Sequence, residues 1–116
     1  MKTIDYKLPG GDLASRRLAI TERHKIEAIL IDGQRVRINL AGVESVSESY
    51  SDEIFGILVV KHGVKTILTN VKFENANPSI LKSIAKVIQR RSHEIAKKQV
   101  HHIDRNTSNV SSWAAC

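Results

Sequence analysis

The pattern of polar and apolar residues predicts three strands. Residues 2–7 and residues 35–40 alternate between polar and apolar side chains, and a period of two is typical of a strand with one buried face. A third strand is predicted at residues 64–69. Between the second and third strands, small and acidic residues follow residue 40, and we interpret this segment as a loop that leads into a helix.

Apolar residues recur at helical spacing around and between these strands. The first helix is predicted to begin after a cap at Asp12 or Ser15 and to end near Ile31. The last helix is predicted to begin at Asn77-Pro78, because Asn is a favoured cap and Pro suits the first helical position. Its apolar side is formed by Ile80, Leu81, Ile84, Val87, Ile88 and Ile95.

The middle helix is predicted from apolar residues at i, i+4, i+7 and i+8, which are Tyr50, Ile54, Ile57 and Leu58. Ser49 or Ser51 is expected to cap it. Asp52 and Glu53 then lie in the first turn, where the helix dipole favours anions. Gly63 is expected to end the helix.

The predicted order of elements is β-α-β-α-β-α. Strands that alternate with helices favour an α/β fold with a small, mostly parallel or mixed sheet and helices packed on it. We expect one such domain over residues 1–100. Residues 101–116 are polar and lack a regular pattern, so we interpret them as a flexible C-terminal tail.

Composition narrows the class of protein. Hydrophobic residues make up 41% of the 116 residues but aromatic residues only 4%, so the core is expected to be aliphatic. The single cysteine, Cys116, excludes an internal disulfide and a cysteine metal cluster. No apolar run approaches the roughly 20 residues of a membrane helix, and the N-terminus lacks the hydrophobic region of a secretory signal. We therefore expect a soluble, cytoplasmic protein without a membrane partner.

Motifs for catalysis are scarce. The sequence contains neither common Gly-rich phosphate loop nor a nucleophile elbow. His101 and His102 are adjacent in the predicted tail, where a solvated surface is favoured over a metal site. Cys116 is terminal and lacks the held geometry of a nucleophile. We expect a protein that is not an enzyme and that binds no cofactor and no metal.

The segment 44–53 is the most informative, because it holds four acids and no base in a chain of net charge +6. It precedes a helix at the expected carboxyl ends of the strands, where ligands and partners usually bind. Glu48, Ser49, Asp52 and Glu53 are the predicted partner-binding residues. Two further interpretations stay open for the serines: ordinary helix capping and an anion held at the helix start.

The C-terminal region is basic, with seven Lys/Arg against two Asp/Glu over residues 82–116. Lys82, Lys86 and Arg90 follow at i, i+4 and i+8, and such a stripe can contact phosphates. Nucleic-acid binding by this face is therefore the alternative function. The competing interpretation is a solvated helix face.

Residues 46–55 resemble the signature of the bacterial STAS-like family of domains, which are related to anti-sigma-factor antagonists. Flanking blocks agree with the resemblance: Ser15-Arg16 with Ala19, the strand and Gly-Val turn at 36–43, and Asn75-Ala76-Asn77-Pro78. The similarity spans about residues 12–90. Asn39 and Tyr50 depart from the family, which often has an acidic residue at the first position and Phe at the second.

The resemblance implies a non-catalytic regulatory module that interacts with proteins, often with a histidine-kinase-like ATPase. It marks Ser15, Arg16 and Tyr50 as structural signature positions, and Arg16 as a partner of one of the acids. The broader STAS group carries a phosphorylatable serine in the corresponding loop, so Ser47 and Ser49 are the candidate phosphorylation sites. The family also accepts Gly or Ala there, which counts against an obligatory phosphoserine. A homodimer is a further option.

Overall fold

The computed structural model describes the backbone of residues 2–106 and the side chains of residues 2–96. In chain order the elements are β1 (Thr3–Lys7), β2 (Gly11–Leu13), α1 (Arg16–Ile31), β3 (Arg35–Asn39), β4 (Val43–Val46), α2 (Glu48–Ser51, the π-helical turn Asp52–Gly56, then Ile57–His62), α3 (Val64–Asn70), β5 (Val71–Glu74) and α4 (Pro78–Asn106). Helix α2 is thus continuous and has a π-helical turn at its centre.

The main sheet has the strand order β1-β3-β5, and all its pairs are parallel. Alternation along β3 places Val36 and Ile38 on a fully buried face. The opposite face is polar, and Arg37 lies 3.1 Å from Asp5 and 3.5 Å from Glu74 across the strands. The fold-class prediction, an α/β domain with a small parallel sheet and helices packed on it, is confirmed.

A second sheet, formed by β2 and β4 in parallel, was not predicted from the sequence. Gly10 and Gly42 approach each other so closely at this crossing that a Cβ on Gly10 would lie 3.0 Å from the Gly42 carbonyl oxygen. The prediction of a loop between Leu40 and the middle helix is wrong for Val43–Val46, which is β4. These strands have three and four residues, too few to show an alternating pattern.

The caps of α1 and α4 agree with the sequence. The Ser15 hydroxyl accepts a hydrogen bond from the Leu18 amide, and the Asn77 side chain accepts one from the Ile80 amide. The predicted caps of α2, Ser49 or Ser51, are wrong by two or four residues. Ser47 is the cap, because its hydroxyl accepts from the Tyr50 amide, whereas Ser49 and Ser51 lie inside the helix.

The predicted third strand is displaced. Residues 64–69 lie in α3, and the strand that completes the main sheet is β5, immediately after it. Gly63, with φ of 88°, ends α2 as predicted and also allows the chain to enter α3 at once. In β5 it is Val71 and Phe73 that alternate inward and pair with Val36 and Ile38.

Helix α4 extends beyond the predicted domain boundary at residue 100. It is helical through Asn106, so the first six residues of the predicted tail belong to it, and the remainder of that tail lies outside the described residues. The core lies between the main sheet and the helices, with Ile26, Ile54, Leu58 and Val59 fully buried. Within the described part of the chain, no helix is both long and apolar enough to cross a membrane.

Candidate interaction site at the start of α2

The first signature acid, Asp52, is held by α4. Its two carboxylate oxygens accept hydrogen bonds from Nε and Nη2 of Arg91, both at 2.8 Å. Arg90 Nη2 adds a longer contact of 3.7 Å to the same carboxylate. The hydrogen bonds from Arg91 lower the pKa of Asp52 below its ordinary value. Asp52 is buried, so this bidentate pair joins α2 to α4 inside the protein.

The second acid, Glu53, is held by α1 on the other side of α2. Arg16 Nη1 lies 2.8 Å from Glu53 Oε1, and Arg23 Nη2 lies 3.4 Å from Glu53 Oε2. The expectation that Arg16 pairs with one of the signature acids is confirmed. Because adjacent residues of a helix point in different directions, the Asp-Glu pair connects α2 to two helices at once.

Gly56 completes this arrangement. A Cβ at Gly56 would overlap the Asp52 carboxylate and would lie 3.2 Å from Arg91 Cγ. Only glycine leaves room there for the Asp52–Arg91 pair. A glycine inside a predicted helix costs about 1 kcal/mol relative to alanine, and this was the one local sign of Gly56; its role was not predicted from the sequence.

A further buried acid, Glu27 of α1, was missed because it lies in a sequence pattern of ordinary exposed helix positions. His62 Nε2 lies 2.7 Å from Glu27 Oε2, and Lys61 Nζ lies 3.1 Å from the same oxygen. Arg23 Nη1 is 3.5 Å from the other oxygen. Burial opposes ionisation of Glu27, but the hydrogen bonds and charges of His62 and Lys61 outweigh it and lower its pKa. This cluster joins α1 to the end of α2.

Tyr50 is buried, in agreement with a structural role for this signature position. Burial, followed by the charge of Glu22, raises its pKa to about 12. Its hydroxyl has no hydrogen-bond partner among the described residues. Glu22 instead accepts a hydrogen bond from Tyr6 of β1. The hydrogen bond between Tyr6 and Glu22 therefore joins β1 to α1.

These contacts change the predicted partner-binding set. Asp52 and Glu53 are buried and paired with arginines of the same chain, so their assignment to a partner surface is corrected: they position α2. Glu48 and Ser49 remain exposed, and so do Glu44 and Ser45 of β4. We name these four residues, Glu44, Ser45, Glu48 and Ser49, the acidic edge.

The two candidate phosphorylation sites differ. The Ser47 hydroxyl caps α2 and lies 3.4 Å from the Ala14 carbonyl oxygen, so it is half-buried and engaged. Ser49 is exposed in the first turn. Ser47 thus follows the capping interpretation, and Ser49 is the serine that a modifying enzyme can reach.

The three residues of the predicted basic stripe lie on α4, but one of them is engaged in an ion pair. Lys82 and Lys86 are exposed on α4, whereas Arg90 forms an ion pair with Glu48. Nucleic-acid binding by these residues stays a prediction. Among the described residues, no group of three or more His, Cys, Asp or Glu side chains is arranged to hold a metal ion.

The comparison with protein families decides the class. The family model described as a STAS-like domain of unknown function (DUF4325) matches residues 23–81, about half of the chain. The chain belongs to this STAS-like family. The match includes the whole Asp-Glu signature, Gly56 and the Glu27 cluster, while Ser15 and Arg16 precede it. No curated protein matches the chain, and neither does any solved structure.

Proposed function

We propose that this STAS-like protein is a non-catalytic regulatory module that binds a protein partner through the acidic edge. The observation that carries the proposal is the burial of both signature acids in ion pairs to α1 and α4. These pairs fix the first turns of α2, so the exposed acidic edge is presented on a rigid support. A preorganised surface loses little conformational entropy on binding, which favours recognition.

The partner class that fits this proposal is a histidine-kinase-like ATPase, the association expected for anti-sigma-antagonist-like domains. The acidic edge is complementary to a basic groove, and charge complementarity raises both the specificity and the rate of association. The strand β4 pairs only with β2 among the described residues, and Glu44 and Ser45 on it are exposed.

The test is a calorimetric titration of the chain with the histidine-kinase-like ATPase of its own host. Glu44→Lys and Glu48→Lys are expected to weaken Kd at least about tenfold each, equivalent to about 1.4 kcal/mol. Asp32→Lys is the matched control, since Asp32 is an exposed acid at the far end of α1. Equal Kd values for all four proteins would remove the acidic edge from the interface.

Control by phosphorylation fits Ser49 better than Ser47. A phosphate on Ser49 would add a charge of about −1.5 to −2 to the acidic edge, and the partner would then bind more weakly. Intact mass spectrometry after incubation with the ATPase and ATP should show one phosphate on wild type and on Ser47→Ala, and none on Ser49→Ala. An unmodified wild-type mass would leave Ser49 as an ordinary surface residue.

A further inference from the structure

The outward side of α4 lies between two grooves of different chemistry. The basic groove, of about 480 Å³, is lined by Ser79, Lys82, Ser83, Lys86 and Arg90 of α4 and by Glu48 of α2. The apolar groove, of about 450 Å³, is lined by Val64, Leu68, Phe73, Leu81, Ile84 and Ile88. Ala85 and Gln89 line both grooves. The two grooves therefore form one continuous surface along α4, which we name the α4 face.

The apolar half of this surface exposes large side chains. Leu68 of α3 is 59% exposed and Leu81 of α4 is 41% exposed, on opposite walls of one groove. Scattered exposed leucines are ordinary, but two that face a groove with an apolar floor form a patch of the kind used for binding. Burying both would release apolar surface from water on association.

The basic half determines the charge of the occupant. Lys82 and Lys86 are one helical turn apart on the same wall, and neither has an ion-pair partner among the described residues. An occupant of the α4 face must therefore carry acids on one side and apolar residues on the other. A nucleic-acid backbone supplies the negative charge but nothing that fills the leucine-lined groove.

We propose that the α4 face docks an amphipathic helix of a partner protein. Its apolar residues at i, i+3 or i+4 and i+7 fill the apolar groove, and its Asp and Glu residues lie against Lys82 and Lys86. The α4 residues that line the two grooves run from Ser79 to Ser92, which is 14 residues, or roughly 20 Å of helix at about 1.5 Å per residue. The docked segment is thus about four turns. This surface goes beyond the proposed function, because Glu48 is the one acidic-edge residue that borders it among those described.

The test is a selection from a displayed library of random helical peptides of about 15 residues against the full chain. The expected binders carry an apolar stripe flanked by Asp or Glu. Lys82→Glu with Lys86→Glu, and separately Leu68→Ser with Leu81→Ser, should each weaken the selected peptide at least about tenfold. The matched controls, Lys25→Glu and Leu18→Ser, alter an exposed lysine and an exposed leucine of α1 and should leave its Kd unchanged, as should Glu44→Lys.

Four results would overturn the proposal. The first is a selection that yields no binder, and the second is a selection whose binders lack Asp and Glu. In the third, Leu68→Ser with Leu81→Ser leaves the affinity for the selected peptide intact, a DNA duplex displaces that peptide, and binding of the duplex falls steeply with salt. This result would assign Lys82 and Lys86 to nucleic-acid binding. Sedimentation can show a dimer that Leu68→Ser with Leu81→Ser dissociates, which would assign the α4 face to a second copy. Circular dichroism of each variant tests whether unfolding is the cause of lost binding. The calorimetric titration with the ATPase is repeated on Lys82→Glu with Lys86→Glu, and an unchanged Kd there would show that the acidic edge and the α4 face act separately.

Discussion

The Asp52–Arg91 pair should be a large contributor to the stability of the domain. Asp52→Ala removes the acceptor of two hydrogen bonds of 2.8 Å and leaves the Arg91 guanidinium without it. Breaking a fully buried pair by removing one partner costs about 3–5 kcal/mol. The Asp52 side chain is 11% exposed and that of Arg91 is 29% exposed, so water compensates part of the loss, and we expect a cost of about 2–3 kcal/mol.

Urea denaturation followed by circular dichroism measures this cost. With a slope of about 1–3 kcal/mol per molar urea for small domains, a cost of about 2–3 kcal/mol should lower the midpoint by about 0.7–3 M. A double-mutant cycle with Arg91→Ala separates the pair from its surroundings, and we expect a coupling of at least about 1 kcal/mol. The control is Glu94→Ala, which removes a weaker 3.6 Å contact to Arg91. If Asp52→Ala costs no more than this control and the coupling vanishes, the signature acid does not hold α2 to α4.

Three further outcomes follow from the same site. Gly56→Ala should lower the unfolding free energy by about 1–3 kcal/mol because the added methyl group clashes with the Asp52 carboxylate. The same change should cost less in the Asp52→Ala protein, and strictly additive losses of unfolding free energy would contradict the clash. Ser47→Ala should cost about 1 kcal/mol as a lost cap, whereas Ser49→Ala should change stability by less than about 0.5 kcal/mol; equal effects in urea denaturation would refute the cap assignment. Arg91 lowers the pKa of Asp52 in the folded state, so the ionised Asp52 contributes stability above its unfolded pKa of about 3.9, and this contribution is lost as pH falls through the lower, folded value. The unfolding free energy of wild type should therefore fall more steeply than that of Asp52→Asn below about pH 4. Parallel curves for the two proteins would argue against the linkage.

The sequence predicted well the helices and strands whose buried side chains recur at one regular spacing over many residues. Helices α1 and α2 show an apolar stripe, and β3 alternates cleanly between Arg35 and Asn39. The cap at Asn77 follows from local chemistry and needs no tertiary contact. Such signals are readable without topology, because each depends on neighbours within one or two turns.

The elements that were missed depend on tertiary context. Strands β2 and β4 each exist because the other lies beside it, and neither is long enough to be periodic. Residues 64–69 are rich in Val, Ile and Thr, which favour strands, yet only Ile67 of α3 is buried. Packing in the fold overrides this local preference, and the strand begins at Val71, seven residues after the predicted start, where Val71 and Phe73 pack against the sheet.

The candidate site was half predicted for a physical reason. Acids in the first turns of a helix are usually solvated, so sequence alone assigned Asp52 and Glu53 to a partner. Their arginine partners are 39 and 37 residues away in the chain, and no local pattern shows that α1 and α4 bring them together. The resemblance did identify Arg16 as a partner of one acid, because both positions belong to one signature.

The location of these pairs changes what the negative charge of segment 44–53 can do. Two of its four acids, Asp52 and Glu53, are paired with arginines of the same chain, and a third, Glu48, is paired with Arg90 at the surface. In the described part of the chain, Glu44 forms no ion pair, so the summed charge alone is a weak basis for recognition. The proposed function therefore relies on the placement of these side chains more than on their charge. The pairs of Asp52 and Glu53 hold the first turns of α2, and Glu48 and Ser49 lie in the first of those turns. In the proposed complex, the Asp-Glu signature would thus position the binding surface without contacting the partner.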